Sequence, residues 1–122
     1  MNIRTIEKNG QTIAVVESEE ALITGVQSAL DLMATVRYET GADRVALFKA
    51  ALDERFFALG SGFAGDILQK FVNYQMKLAI IGDFSKYASK PLRDFIYESN
   101  QGNHVFFVSS EEEAIGKLSR VN

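Results

Sequence analysis

The stretch Phe56-Phe57-Ala58-Leu59-Gly60-Ser61-Gly62-Phe63-Ala64-Gly65-Asp66-Ile67-Leu68-Gln69-Lys70-Phe71, followed shortly by Lys77-Leu78-Ala79-Ile80-Ile81, decides the fold. Phe63, Ile67, Leu68 and Phe71 recur at the spacing of one helix face, and the run from Lys77 is apolar and of strand length. A Gly-Ser-Gly turn stands where the helix begins. The N–H groups of a first helical turn have no intrahelical partner, so this is where an anion or a partner can be met. Turn, helix and buried strand together form the repeating unit of a parallel sheet.

The same alternation extends in both directions. Ile3 to Lys8 and Thr12 to Val16 flank Asn9-Gly10, a pair that tolerates positive φ and so predicts a tight hairpin. The second run is nearly all apolar, which predicts a central strand covered on both faces. Ser18, with Glu19 and Glu20 behind it, predicts a helix N-terminus. Leu22, Val26, Ala29, Leu30 and Met33 follow at helical spacing, and Gly41 is the stop. Arg44 to Phe48 is the third strand, and Asp53 to Leu59 a helical turn. Asn73-Tyr74 ends the next helix, and Met76 to Ile81 is a strand closed by Gly82-Asp83. Ser89-Lys90-Pro91 opens a third helix, with proline in its first turn and Leu92, Phe95 and Ile96 facing inward. That helix stops near Gly102, and His104 to Val108 is the last strand. Ser110 and Glu113 predict a capping box for a final helix with Ala114, Ile115 and Leu118 inside. The order β-β-α-β-α-β-α-β-α predicts one α/β domain over residues 1–122. Its sheet is five-stranded and mostly parallel, with an N-terminal antiparallel hairpin strand and four helices on its two faces.

Composition narrows the function. The chain has 122 residues, 47% of them apolar and 24% charged, as expected of one globular domain with its own core. It contains no cysteine, which excludes disulfides and thiolate chemistry and fits a reducing compartment. Its net charge is −3 and its basic residues are scattered, which argues against a nucleic-acid partner. The opening Met1-Asn2-Ile3-Arg4-Thr5 lacks the apolar run of a signal peptide, and no stretch approaches a membrane span. The expectation is a cytoplasmic domain with no membrane partner.

The element order resembles the STAS-like fold of anti-sigma factor antagonists. In that fold the third strand leads into an Asp-Ser-Ser-Gly-apolar loop, which opens the second helix and carries a regulatory phosphorylated serine. Here Leu59-Gly60-Ser61-Gly62-Phe63 holds that place, with Ser61 at the serine position and Leu59 where the pattern has its acidic residue. A more specific resemblance covers nearly the whole chain. Phe63 to Tyr74, Ala79-Ile80-Ile81-Gly82-Asp83-Phe84 and Arg93 to Asn100 are similar to the bacterial family called domain of unknown function 4180. The first resemblance implies an interaction module regulated at Ser61; the second implies no activity.

Several residues admit a functional and a purely structural role. Gly60, Ser61, Gly62 and Phe63 form either a docking or modification site or a plain serine-capped helix start. Asp83 lies beyond a strand end, where parallel sheets place ligands, or it satisfies turn N–H groups. Asn73, Asp83, Tyr87 and Asn100 form a polar pocket at one end of the sheet, or the two asparagines are left-handed helix caps. Phe56-Phe57 either presents one ring as a contact surface or packs both in an irregular turn. His104 is the single histidine, expected as a hydrogen-bonded structural residue at a strand start. With no thiolate and no nucleophile-elbow motif, neither a metal site nor a serine triad is expected. The chain carries no dinucleotide or phosphate-loop motif either, and no cofactor is expected. Three expectations result: a non-catalytic STAS-like module that docks a protein partner at Ser61, a ligand-binding or enzymatic domain with its site around Asp83, and a structural homodimer.

Overall fold

Two successive positive-φ residues, Asn9 at 53° and Gly10 at 76°, turn the chain between β1 (Asn2–Lys8) and β2 (Gln11–Glu17). This is the geometry that matches the natural twist of a two-residue hairpin, and it sets the antiparallel register from Asn2↔Glu17 to Lys8↔Gln11. The structure is a computed structural model and describes residues 1–121.

The remaining strands are β3 (Arg44–Phe48), β4 (Lys77–Ile81) and β5 (Val105–Val108). They follow β2 in parallel, and the sheet order is β1-β2-β3-β4-β5. Each new strand is added on the same side of the last. Crossovers of one hand therefore lay α1 (Val26–Thr40), α2 (Phe63–Asn73) and α3 (Lys90–Gln101) over one face. Among the described residues only α4 (Glu111–Arg120), which follows the last strand, covers the other. Side-chain alternation divides the core accordingly. Ala14, Val16, Val45, Leu47, Leu78 and Ile80 pack under the three-helix layer. Ile13, Val15, Ala46, Ala79, Phe106 and Val108 pack under Ala114 and Leu118 of α4. Buried Arg44 anchors α4: its guanidinium donates to the carbonyls of Leu118 (2.6 Å) and Val121, at the negative end of the helix.

The first helix starts later than Ser18 predicts. Ser18 Oγ accepts from the Glu20 N–H at 3.1 Å, which makes a local turn. The N–H groups of Leu22 and Ile23 both donate to the Ala51 carbonyl, at 2.8 and 2.9 Å, and Asp53 N–H donates to the Ile23 carbonyl. Residues 22–23 are thereby pinned beside Leu52 as a short extended bridge, with Ile23 fully buried. The helix begins only after Gly25, where Ser28 Oγ reaches back to accept from the N–H groups of Thr24 and Gly25. Its end is as predicted, with Gly41 left-handed at φ 75°.

Neither asparagine is a left-handed cap. Asn73 stays helical and accepts from Gln69 Nε2, while Gln75 takes the positive φ of 55°. Met76 N–H to Phe71 O and Gln75 N–H to Val72 O complete a Schellman closure. Asn100 lies inside α3 and turns its amide onto the free edge of β5. It accepts from Phe107 N–H at 2.7 Å and donates to Phe107 C=O at 3.2 Å. Ser89 and Ser110 cap α3 and α4 as predicted. Glu113, however, reaches one residue further back than a capping box requires, accepting from Ser109 N–H.

Asn100 thus closes an otherwise open strand edge. Asn100→Ala leaves both backbone groups of Phe107 without a side-chain partner and should destabilise the fold by about 1–3 kcal/mol in denaturant titration. Asn100→Asp keeps the acceptor but loses the donor and should fall between Asn100→Ala and wild type. Wild-type stability in Asn100→Ala would remove this role.

Candidate functional site

Both connections at the carboxyl end of β3 and β4 cross the same sheet edge, and side chains lock them together. Phe48 pairs with Ile81, so the next residues, Lys49 and Gly82, lie side by side. The Lys49 stem runs across Gly82 so closely that a Cβ there would sit 2.8 Å from Lys49 Cβ. The chain continues through short 3-10 turns, Lys49–Ala51, Glu54–Phe57 and Leu59–Ser61. Phe56 and Phe57 in the second turn are both buried, so neither supplies the exposed aromatic surface the sequence allowed. Phe57 instead stacks on Tyr87 from the β4–α3 connection, with ring centroids 5.0 Å apart and planes at 19°. Lys49 Nζ lies 5.1 Å from the centroids of both rings.

Glu54 completes the cluster. Tyr87 OH donates to Glu54 Oε1 at 2.7 Å, Lys86 Nζ lies 3.5 Å from the same oxygen, and Lys49 Nζ lies 3.5 Å from Oε2. The Tyr87 hydrogen bond, followed by the two lysine charges, holds the Glu54 carboxyl below its ordinary range. The Tyr87 phenol is pushed up to about 12, first by burial and then by the neighbouring carboxylate. Asp83, in the same connection, accepts from Ser85 N–H at 2.9 Å and Ser85 Oγ at 2.6 Å, and these bonds lower its pKa. Beside it a shallow depression of about 350 Å³ opens between Gly82, Asp83, Phe84, Phe107 and Glu113. A second open groove, of about 720 Å³, lies at the ends of β2 and β3 and is lined by Glu17, Glu19, Glu20, Leu22 and Phe48.

The four polar residues grouped from sequence divide. Asp83 and Tyr87 share one connection. Asn73 closes α2 just before β4 begins, at the opposite end of the sheet, a strand length of roughly 15 Å away. Asn100 is occupied at the β5 edge. Lys49, Glu54 and Lys86 were not singled out from sequence; the signal was a lysine at the end of one apolar strand and a glycine at the end of the next.

Ser61 is exposed but does not cap the helix as expected: it ends the preceding 3-10 turn, two residues before Phe63, and the N-cap is Gly62 at φ 78°, whose left-handed backbone makes the turn into α2. Its hydroxyl donates to Ala58 O at 2.8 Å and accepts from Phe63 N–H at 3.2 Å. Arg55 lies over the Phe63 ring at 4.7 Å while bound to Asp53 and the Thr24 carbonyl. His104 is exposed and joins the fold through its carbonyl, which accepts from Leu78 N–H. Among the described residues no group of three or more His, Asp or Glu side chains is placed to hold a metal ion, and no helix is long and apolar enough to cross a membrane.

Glu54→Gln removes the negative charge that opposes ionisation of Tyr87 but leaves its burial. The phenol should then ionise below 12 yet above its ordinary 10.0 in rapid alkaline titration, read as an absorbance difference from Tyr87→Phe. An unchanged midpoint would show that the carboxylate does not act on the phenol.

The family model for the domain of unknown function DUF4180 matches residues 8–118, which include all of β2 to β5, α1 to α3 and both connections of the cluster. No curated protein and no solved structure gives a significant match. On that match over most of its length, the chain belongs to the DUF4180 family.

Proposed function

We propose that this domain is a non-catalytic, STAS-like interaction module that docks a protein partner where α2 begins and is tuned by modification of Ser61. The observation that carries the reading is the exposed Ser61 hydroxyl, held one residue ahead of the N-cap after β3. A phosphate there adds about −1.5 to −2 charge beside the free N–H groups of a first helical turn, which favour anions. Half-buried Leu59 and Phe63 flank the site, so a partner resting on them meets a new charge that it must desolvate. The five-stranded, mostly parallel sheet with its antiparallel β1, and α2 opening directly from this connection, support the same reading.

Phosphopeptide mapping of the protein from its native host, together with paired variants, tests the proposal. Ser61→Asp should leave thermal stability nearly unchanged and weaken capture of the partner. Ser61→Ala loses two local hydrogen bonds, should cost about 0.5–1 kcal/mol, and should keep binding. Equal capture by wild type and Ser61→Asp would remove the switch.

A second reading, a small-ligand site around Asp83, is supported by the depression that Asp83 lines with Gly82 and Phe84. Under it, a small molecule retained by the native protein in native mass spectrometry is lost in Asp83→Asn, whose amide oxygen still accepts from Ser85. Equal retention by both proteins would exclude Asp83 from binding.

A further inference from the structure

We infer that Lys49, Lys86 and Tyr87 form a receptor for a compact oxyanion, and that Glu54 occupies it from within the chain until an external phosphate or carboxylate group displaces it. The inference depends on neither Ser61 nor Asp83 carrying a function.

Three donors from two connections converge on one carboxylate. Tyr87 OH and Lys86 Nζ meet Oε1 at 2.7 and 3.5 Å, and Lys49 Nζ meets Oε2 at 3.5 Å. Both oxygens are engaged, as in a site that holds an oxyanion by two of its atoms.

The principal donors are built in and the occupant is not. The Lys49 side chain is only 20% exposed, with its stem confined against Gly82 and its ammonium set over two aromatic faces. Tyr87 is fixed by its stack on Phe57, which is buried and packed edge-on against Phe56. These groups hold their places whether or not Glu54 is bound. Glu54, by contrast, is 63% exposed and stands on a single 3-10 turn, held by one short bond, from Tyr87 OH at 2.7 Å, and by two 3.5 Å ion pairs, which hold an exposed carboxylate weakly. A preformed site closed by a weakly held intrachain group is open to competition, and its apparent affinity falls with the fraction of chains in which that group is still bound.

The charges facing the site decide the ligand. Lys49 and Lys86 carry two positive charges, and Glu54 and Asp83 two negative ones. Asp83 is committed to the Ser85 N–H and hydroxyl of its own turn. Once Glu54 leaves, two ammonium groups and a phenol donor face the entering group. That arrangement suits a phosphate dianion better than a single carboxylate. The depression beside Gly82 and Phe84 leaves room for the rest of a molecule carrying that group.

Amide NMR titration near pH 7 with inorganic phosphate, and separately with acetate, tests the inference in wild type, Glu54→Gln and Glu54→Asp. In Glu54→Gln, phosphate should shift the Gly82, Lys86 and Tyr87 amides saturably, with an apparent affinity about tenfold above wild type. Acetate should bind more weakly, and adding Lys49→Gln to Glu54→Gln should abolish both responses. If Glu54→Gln does not fold, Glu54→Asp carries the comparison, because its shorter carboxylate withdraws from the lysines; it should still bind phosphate more tightly than wild type. Equal affinity in wild type and the folded Glu54 variant overturns the inference. So does the absence of a saturable shift in that variant, or binding that survives Lys49→Gln.

Discussion

Burial of β2 to β5 on both faces governs this structure. A strand covered on both sides has no polar face to offer water, which is why Ile13 to Val16, Val45 to Leu47 and Leu78 to Ile80 are apolar in succession and fully buried. Parallel strands need crossovers, and crossovers of one hand onto successive neighbours stack on a single face. The three-helix layer, the lone α4 beneath and the unequal cores follow from that. So does the location of the polar chemistry. With the middles of β2 to β5 apolar, the connections at their ends are where charged side chains gather, and the carboxyl edge collects Lys49, Glu54, Asp83, Lys86 and Tyr87.

The open sides of the sheet are handled by side chains. At one edge β5 is short, and the Asn100 amide takes both backbone groups of Phe107. At the other, the Arg4 guanidinium on β1 bridges Glu17 of β2 and Glu111 at the start of α4, placing charge on a strand with an unpaired side. With Arg44 at its C-terminus, α4 is tied at both ends, so the helix that stands alone on its face of the sheet is held by ion pairs and carbonyl contacts as well as by Ala114 and Leu118.

The aromatic-cation cluster at the carboxyl edge does two things. It ties the β3–α2 connection to the β4–α3 connection, which are otherwise separate loops, and so steadies the approach to α2. Burial within it, and after burial the hydrogen bond to Glu54, raises the phenol of Tyr87, while that same hydrogen bond is the first cause that lowers the carboxyl of Glu54. Around half-buried groups such an arrangement is stiff in its aromatic parts and adjustable in its exposed carboxylate, a combination suited to recognition of a charged group.

Local chemistry in the sequence determined the elements and their order. Asn9-Gly10 makes the hairpin because both residues accept positive φ. Gly41 ends α1, Ser89 and Pro91 start α3, and Ser110 starts α4, because each acts on backbone groups within four residues. The apolar runs declared the central strands. The tertiary structure alone decided the rest. The start of α1 moved from Ser18 to Gly25 because the Ala51 carbonyl, far along the chain, claimed the N–H groups of Leu22 and Ile23. Gln75 took the left-handed position in place of Asn73, and Asn100 went to a strand edge in place of a helix cap. The candidate site depends on the pairing of Phe48 with Ile81, which brings Lys49 over Gly82 and lets Tyr87 reach Glu54 across 33 residues. Contacts of that span are set by strand register, and register exists only once the sheet has formed.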